Sequence, residues 1–194
     1  MSAEPVPPDA SPWPDHLLSL AEWDALPEDT SRHYELAEGV MFVTPRPVPR
    51  HQLAAGKLWR QLMDQLPAEL CPLMDVEVTL EAGTEATVRA PDIAVLPTPV
   101  AEADVARFQA SDVLLAVEII SPGSRRTDRI LKLSEYADAG IEHYWIVDLD
   151  DPTSLEAYRL KDGRYFEEAA GANRVALGHP VPLTIDLTSL TTRR

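Results

Sequence analysis

Glu118 interrupts an otherwise apolar run that extends from Val113 to Val117 and continues through Ile119 and Ile120. An ionised carboxylate is costly to bury in such a run without a partner. Two uses of it are open. Either Glu118 is a metal ligand facing a cleft at the end of a strand, or the strand stops there and the carboxylate is solvated or paired with an arginine. The apolar residues beyond it favour the first, because acids are seldom buried unpaired. Asp92 opens a second apolar stretch, Pro91-Asp92-Ile93-Ala94-Val95-Leu96. Alone it reads as a turn or bulge aspartate beside Pro91. Next to Glu118 on a neighbouring strand, it would complete a pair of hard oxygen ligands suited to Mg²⁺ or Mn²⁺.

Lys132 follows on the next helix. Asp128, Lys132 and Tyr136 recur every fourth residue and share one face, while Ile130, Leu133 and Ala137 are expected on the core side. The plainer reading is a surface Asp128–Lys132 pair contributing roughly a few tenths of a kcal/mol. The chemical reading is a lysine that positions or activates an attacking water and steadies charge on a phosphate. Tyr136 reads as half core and half cleft wall. His51, opening a helix, reads as a cap or a phosphate contact rather than a metal ligand. Arg125, Arg126 and Arg129 form the basic cluster of the sequence, around the start of the helix bearing Lys132. Arginines in a first helical turn oppose the helix dipole, a placement that fits a phosphate contact better than a solvated helix end. His33, His143 and His179 show no ligand spacing and read as structural or exposed.

The elements that must position these residues are legible in outline. A short helix is expected within residues 19–26, stopped by Pro27, and a hairpin turning at Gly39 within residues 33–43. Residues 51–66 carry Ala55, Trp59, Leu62, Met63 and Leu66 at helical spacing. Val76, Val78 and Leu80 alternate with polar residues, as in a strand with one wet face. Residues 88–96 read as one strand weakened by Pro91. Residues 112–120, apolar on both faces, read as a central strand. A helix over residues 127–139 is ended by Gly140, and a buried strand follows over residues 143–149. A hairpin then turns near Asp162-Gly163. Helix, three strands, helix and strand in that order predict an α/β sandwich on a mixed sheet. Residues 1–14, with five prolines, are expected to form a disordered arm, and residues 15–194 a single domain.

Composition narrows the class of protein. One cysteine, Cys71, excludes an internal disulfide and suits a reducing interior. No apolar run reaches the roughly 18 residues of a membrane span, and no secretory signal is present, so a cytoplasmic protein with no membrane partner is expected. The net charge is −15, and the first 30 residues hold seven acids with no Lys or Arg. A protein that binds through phosphate neutralisation is usually basic, so duplex DNA should be bound weakly and in a strongly salt-sensitive way.

The motifs taken together resemble a known family. Tyr34-Glu35-Leu36 with Gly39, then His51, Pro91-Asp92, Val117-Glu118-Ile119-Ile120-Ser121-Pro122, Lys132 with Tyr136, Gly140, and Tyr144-Trp145-Ile146-Val147-Asp148 are similar to the Uma-type restriction endonuclease family of the PD-(D/E)XK nuclease superfamily. The resemblance runs from about Ala21 to Tyr165, with a weaker echo around residues 183–187. It implies a restriction-endonuclease-like sandwich, a central mixed sheet flanked by helices, with an N-terminal hairpin. It also implies Asp92 and Glu118 as metal ligands and Glu35 as an accessory acid completing the metal site. The superfamily lysine stands two residues after the Glu, where this chain has Ile120. Uma-type proteins place it on the following helix, which points to Lys132.

The expected function is therefore a Mg²⁺- or Mn²⁺-dependent endonuclease that hydrolyses phosphodiester bonds of nucleic acid, DNA in the first instance. Asp92, Glu118, Lys132 and Glu35 are the expected catalytic residues, with His51, Arg125, Arg126 and Tyr136 contacting substrate. A homodimer would supply two sites for two strands. The rivals are a catalytically silent nuclease-fold module that binds proteins, and a hydrolase of small phosphoesters using the same carboxylates.

Overall fold

The computed structural model describes residues 14–27, 33–44, 46–121 and 123–191. The expected Pro-rich arm falls, but for Pro14, outside them. Helix α1 (Leu20–Asp24) opens on a capping box in which Ser19 and Glu22 satisfy each other's backbone N–H groups. Strands β1 (His33–Ala37) and β2 (Val40–Thr44) form the expected hairpin. Its turn places Glu38 and Gly39 at positive φ, 48° and 73°. A Cβ on Gly39 would stand 2.8 Å from the Leu17 Cβ, so glycine is required there.

Helix α2 (Pro49–Gln65) starts at a proline, which costs nothing in a first turn. It is followed by β3 (Leu70–Met74), β4 (Val78–Glu81), β5 (Thr87–Arg89) and β6 (Ile93–Pro97). The short helix α3 (Thr98–Ala101) and strand β7 (Phe108–Gln109) lead to β8 (Leu115–Ile120). A π-helical turn (Thr127–Leu131) runs directly into α4 (Lys132–Asp138), and β9 (His143–Asp148) returns to the sheet. Strands β10 (Ser154–Lys161), β11 (Arg164–Ala172), β12 (Arg174–Leu177) and β13 (Leu183–Asp186) and helix α5 (Thr188–Thr191) complete the chain.

The strands form two large sheets and a hairpin. The main sheet has the order β11-β10-β9-β8-β6-β3, and the second β2-β1-β5-β4-β7. Within the main sheet only β8 and β9 pair in parallel, joined through α4, so the sheet is mixed. Alternation along its strands divides the core. Leu115, Val117 and Ile119 meet Ile93, Val95, Trp145 and Val147 on the face covered by α2 through Ala54, Leu58 and Leu62. Ala116 and Ile120 meet Ala94, Leu96, Tyr144 and Ile146 on the face covered by Tyr136 of α4. Each large aliphatic side chain so buried contributes about 1.5–3 kcal/mol. The expected architecture, a mixed sheet flanked by helices with an N-terminal hairpin, is the one observed. Among the described residues no helix is long and apolar enough to cross a membrane.

Four local expectations are corrected. The single strand over residues 88–96 is two strands in different sheets, β5 and β6, because Pro91 has no N–H to continue a ladder. Strand β3 was not foreseen; its Pro72 is tolerated at the sheet edge. On α2, Met63 is 44% exposed and the buried stripe runs through Ala54 and Leu58 instead. Ile130, expected in the core, is 63% exposed, because the π turn widens the helix and rotates the residues on it.

Candidate active site

The two sheets exchange the chain at one place. Strand β5 ends at Arg89, and Ala90-Pro91-Asp92 carries the backbone across to β6. The β6–β8 register pairs Ile93 with Val117, and one step further along the same antiparallel register sets Asp92 opposite Glu118. Glu118 has the parity of the α4-covered face, whereas the Asp92 carboxylate turns to the Ile119 N–H and to His51 of α2. Sheet topology thus brings together the two carboxylates singled out in the sequence. Glu118 is 4% exposed.

Lys132 points at them from the start of α4. Its ammonium lies 2.8 Å from Glu118 Oε1 and 3.0 Å from Glu35 Oε1, with Asp128 Oδ1 3.9 Å away. Asp128 and Lys132 are 2% and 6% exposed, so they form no surface pair. Tyr136 donates its hydroxyl to the same Glu118 Oε1 at 2.8 Å. Asp92 Oδ2 accepts the Ile119 N–H at 2.7 Å and lies 3.2 Å from His51 Nε2, which is also 2.8 Å from the Ile119 carbonyl. The sequence residues Glu35, His51, Asp92, Glu118, Lys132 and Tyr136 therefore lie in one connected cluster.

Arg125 and Arg126 lie at its margin. The Arg125 guanidinium is held by Asp148 and Asp150, and Arg129 by Glu156 and Asp148. Arg126 is exposed and has no ion-pair partner among the described residues. His143 is buried and stacked on His179, with ring centroids 6.0 Å apart, and His33 pairs with Asp75.

Three members of the cluster, Arg89, Glu135 and Asp128, are not among the site residues expected from the sequence. Arg89, 2% exposed, donates to Glu35 at 3.0 Å and in a fork to both oxygens of Glu135, each at 2.7 Å. Asp128 was read only as the partner of Lys132. A signal for Arg89 did exist: it stands beside Val88 and two residues before Pro91 in a stretch bound for the interior.

The electrostatics follow from this crowding. Four carboxylates (Glu35, Glu118, Asp128 and Glu135) hold two permanent cations, Arg89 and Lys132, and a fifth, Asp92, pairs with His51 and bears on Glu118. Burial, reinforced by Asp92, Asp128 and Glu35 against the opposing pull of Lys132, raises the Glu118 carboxyl well above the usual range. Burial likewise raises Asp128. Burial disfavours charge on Lys132, but Glu118, Glu35 and Asp128 outweigh it, so the ammonium stays protonated. For Glu35, burial is outweighed by Lys132 and Arg89, which hold it below its ordinary value.

Such a surplus of negative charge suits a divalent cation. Among the described residues no three His, Cys, Asp or Glu side chains are gathered into a ready cage. Mg²⁺ does not need one, since it is commonly held by one or two carboxylates together with waters and substrate phosphates. Asp92 and Glu118 fit that role. Glu35 fits it less well, because Arg89 and the Lys132 and Ala90 donors occupy both its oxygens.

A crystal structure from Anabaena variabilis, described as a "putative nuclease belonging to DUF820", is similar to this chain with a TM-score of 0.66 and 18% identity, covering 90% of this chain and 97% of that one. At that identity the likeness speaks for the fold. No curated protein matches the chain. The family model named Uma2, with the description "Putative restriction endonuclease", matches residues 20–189. That span takes in the switch between the sheets, the carboxylate cluster and the helix bearing Lys132, and the chain belongs to the Uma2 family of restriction-endonuclease-like proteins.

Proposed function

We infer that the chain is a divalent-cation-dependent endonuclease that hydrolyses phosphodiester bonds in DNA. The observation that carries this reading is the buried Lys132 ammonium, 2.8 Å from Glu118, whose chain neighbour Ile119 donates its N–H to Asp92. Asp92 and Glu118 would hold the cation, Mg²⁺ or Mn²⁺. When bound, it supplies Lewis-acid polarisation of the phosphoryl oxygen and offsets the charge of the phosphate.

The chain's own residues do the remainder. Tyr136 and Lys132 both engage Glu118 Oε1 and so fix its rotamer. The Ile119 N–H and His51 orient Asp92. Lys132, held protonated, is a fixed donor where negative charge grows on the phosphate as water attacks. Glu35 serves as the acid that holds Lys132 in place rather than as a third ligand, since its oxygens are already committed.

Purified protein should nick or cut DNA with Mg²⁺ or Mn²⁺, and Glu118→Ala should abolish cleavage. Cleavage surviving in that variant would remove this mechanism. Cutting both strands needs two sites, which two copies of the chain would supply; sedimentation with and without a DNA duplex tests for the pair.

A second reading is favoured by the same arginines that weaken the first. Arg125 and Arg129 are bound to the chain's own acids, which suits a silent module that kept the fold. A melting curve unmoved by Mn²⁺ in the wild type would decide for the module.

A further inference from the structure

Arg89 lies outside every motif that pointed to the site, yet it is 2% exposed and sits in the middle of the cluster. Nε and Nη2 each donate to Glu135 at 2.7 Å, and Nη1 donates to Glu35 Oε2 at 3.0 Å. Glu135 belongs to α4, the helix that presents Lys132 and Tyr136. Glu35 belongs to β1 in the other sheet. A line of alternating charge therefore runs Glu135–Arg89–Glu35–Lys132–Glu118, and its far end is the proposed cation ligand.

We propose that Arg89 is a positioning residue: by anchoring α4 through Glu135 and offsetting the charge of Glu35, it keeps the Lys132 ammonium on Glu118. Lys132 is shared between two carboxylates, and its resting place depends on which attracts it more. Glu35 has Arg89 as a second cation and Glu118 has a neutral donor, the Tyr136 hydroxyl. The ammonium sits closer to Glu118, at 2.8 Å against 3.0 Å. Without Arg89, Glu35 would lose one of its two cations in a buried setting that screens little, and Lys132 would be drawn closer to it. A lysine in place of Arg89 would not substitute, because a point charge cannot serve two carboxylates with a fixed fork.

The catalytic consequence rests on the nuclease reading; the positioning role does not. The test uses Arg89→Met combined with Glu135→Met, which removes the buried pair together and replaces it with apolar side chains, a change buried ion pairs often tolerate. Arg89→Gln, neutral but able to hydrogen-bond, is the second variant should the first fail to fold. In metal-free crystal structures of either variant, Lys132 Nζ should lie nearer Glu35 than Glu118. With DNA and Mg²⁺, kcat should fall about a hundredfold with KM little changed.

Lys132 still seated on Glu118 overturns the proposal. So does wild-type kcat in either folded variant, whether or not its melting temperature falls, since that outcome leaves Arg89 no part in placing the ammonium. A displaced Lys132 in a protein whose wild type never cuts DNA would leave the positioning role standing and sink the nuclease reading. An active wild type with an unmoved Lys132 would do the reverse.

Discussion

Glu118 illustrates how a side chain can serve function at the expense of the fold. Its carboxyl is almost fully enclosed and three other carboxylates bear on it, so the folded chain holds its proton more tightly than the unfolded chain does. A raised carboxyl pKa means that stability present below the unfolded value of 4.5 is lost as pH rises towards the folded one. Glu118→Gln removes that charge, and Lys132 keeps Glu35 at 3.0 Å and Asp128 at 3.9 Å as partners. The metal-free variant should therefore melt higher than the wild type at pH 8, by about 1 kcal/mol in stability, while cleaving no DNA. Equal or lower melting would show that the Lys132 pair outweighs the buried charge.

At this scale the sequence was informative where a charge broke an apolar pattern, as at Glu118, or fell into a short motif, as at Asp92. Arg89 escaped notice for a physical reason: its partners, Glu35 and Glu135, come from β1 and α4, and no local pattern announces a contact between residues so far apart in the chain. The Asp128–Lys132 pair was legible from its spacing, but spacing does not tell a buried pair from a surface one.

The helix bearing Lys132 shows what determines an element's placement. Its periodicity was readable, and Gly140 ends it with φ +82°. The π turn was not readable, because one wider turn leaves composition unchanged, and so Ile130 was assigned to the wrong side. What holds that turn is a strap of ion pairs: Arg129 grips Glu156, and Arg125 and Arg129 grip Asp148 at the end of β9. Burial opposes ionisation of Asp148 and Glu156. Bonds from Arg125, the Asp150 N–H and Arg129 outweigh it for Asp148, and bonds from Arg129 and Tyr158 for Glu156. Both carboxyls lie below their ordinary 3.8 and 4.5.

The stability they contribute is thus present above about pH 4.5 and lost as pH falls through the folded values. Arg129→Met should lower stability at pH 7 by about 1–2 kcal/mol, and the gap from wild type should narrow below pH 4. Denaturant melts across that range measure it. A gap that stays constant down to pH 3 would mean that Arg129 acts through packing alone.

For the molecule as a whole, the puzzle is an acidic body proposed to act on a polyanion. The charge of −15 could have concealed a basic face. Instead, Arg107 is bound to Asp24 and Glu77, Arg89 to Glu35 and Glu135, and Arg125 and Arg129 to the strap. Counterion release grows with the number of phosphates a protein neutralises, at about 0.9 in the logarithmic salt slope for each. With Arg126 and Arg50, which bonds the Leu149 carbonyl, the exposed arginines next to site residues that pair with no carboxylate among the described residues, few phosphates can be neutralised, and repulsion from the acidic surface weakens as salt rises. The steep salt sensitivity expected from composition therefore gives way to a shallow one. DNA binding by the uncut complex of the Glu118→Ala variant should be weak, with a slope shallower than about −2. Arg126→Ala should bring that slope closer to zero by about 1, whereas Arg125→Ala, whose charge is already offset by Asp148 and Asp150, should change it less. Binding measured by fluorescence anisotropy between 50 and 300 mM salt, about the range over which such slopes are resolved, provides the test. A slope as steep as about −6 would require several cations facing the DNA, more than this surface leaves unpaired beside the site, and would mean that the acidic body rearranges or that a second copy contributes its own basic residues.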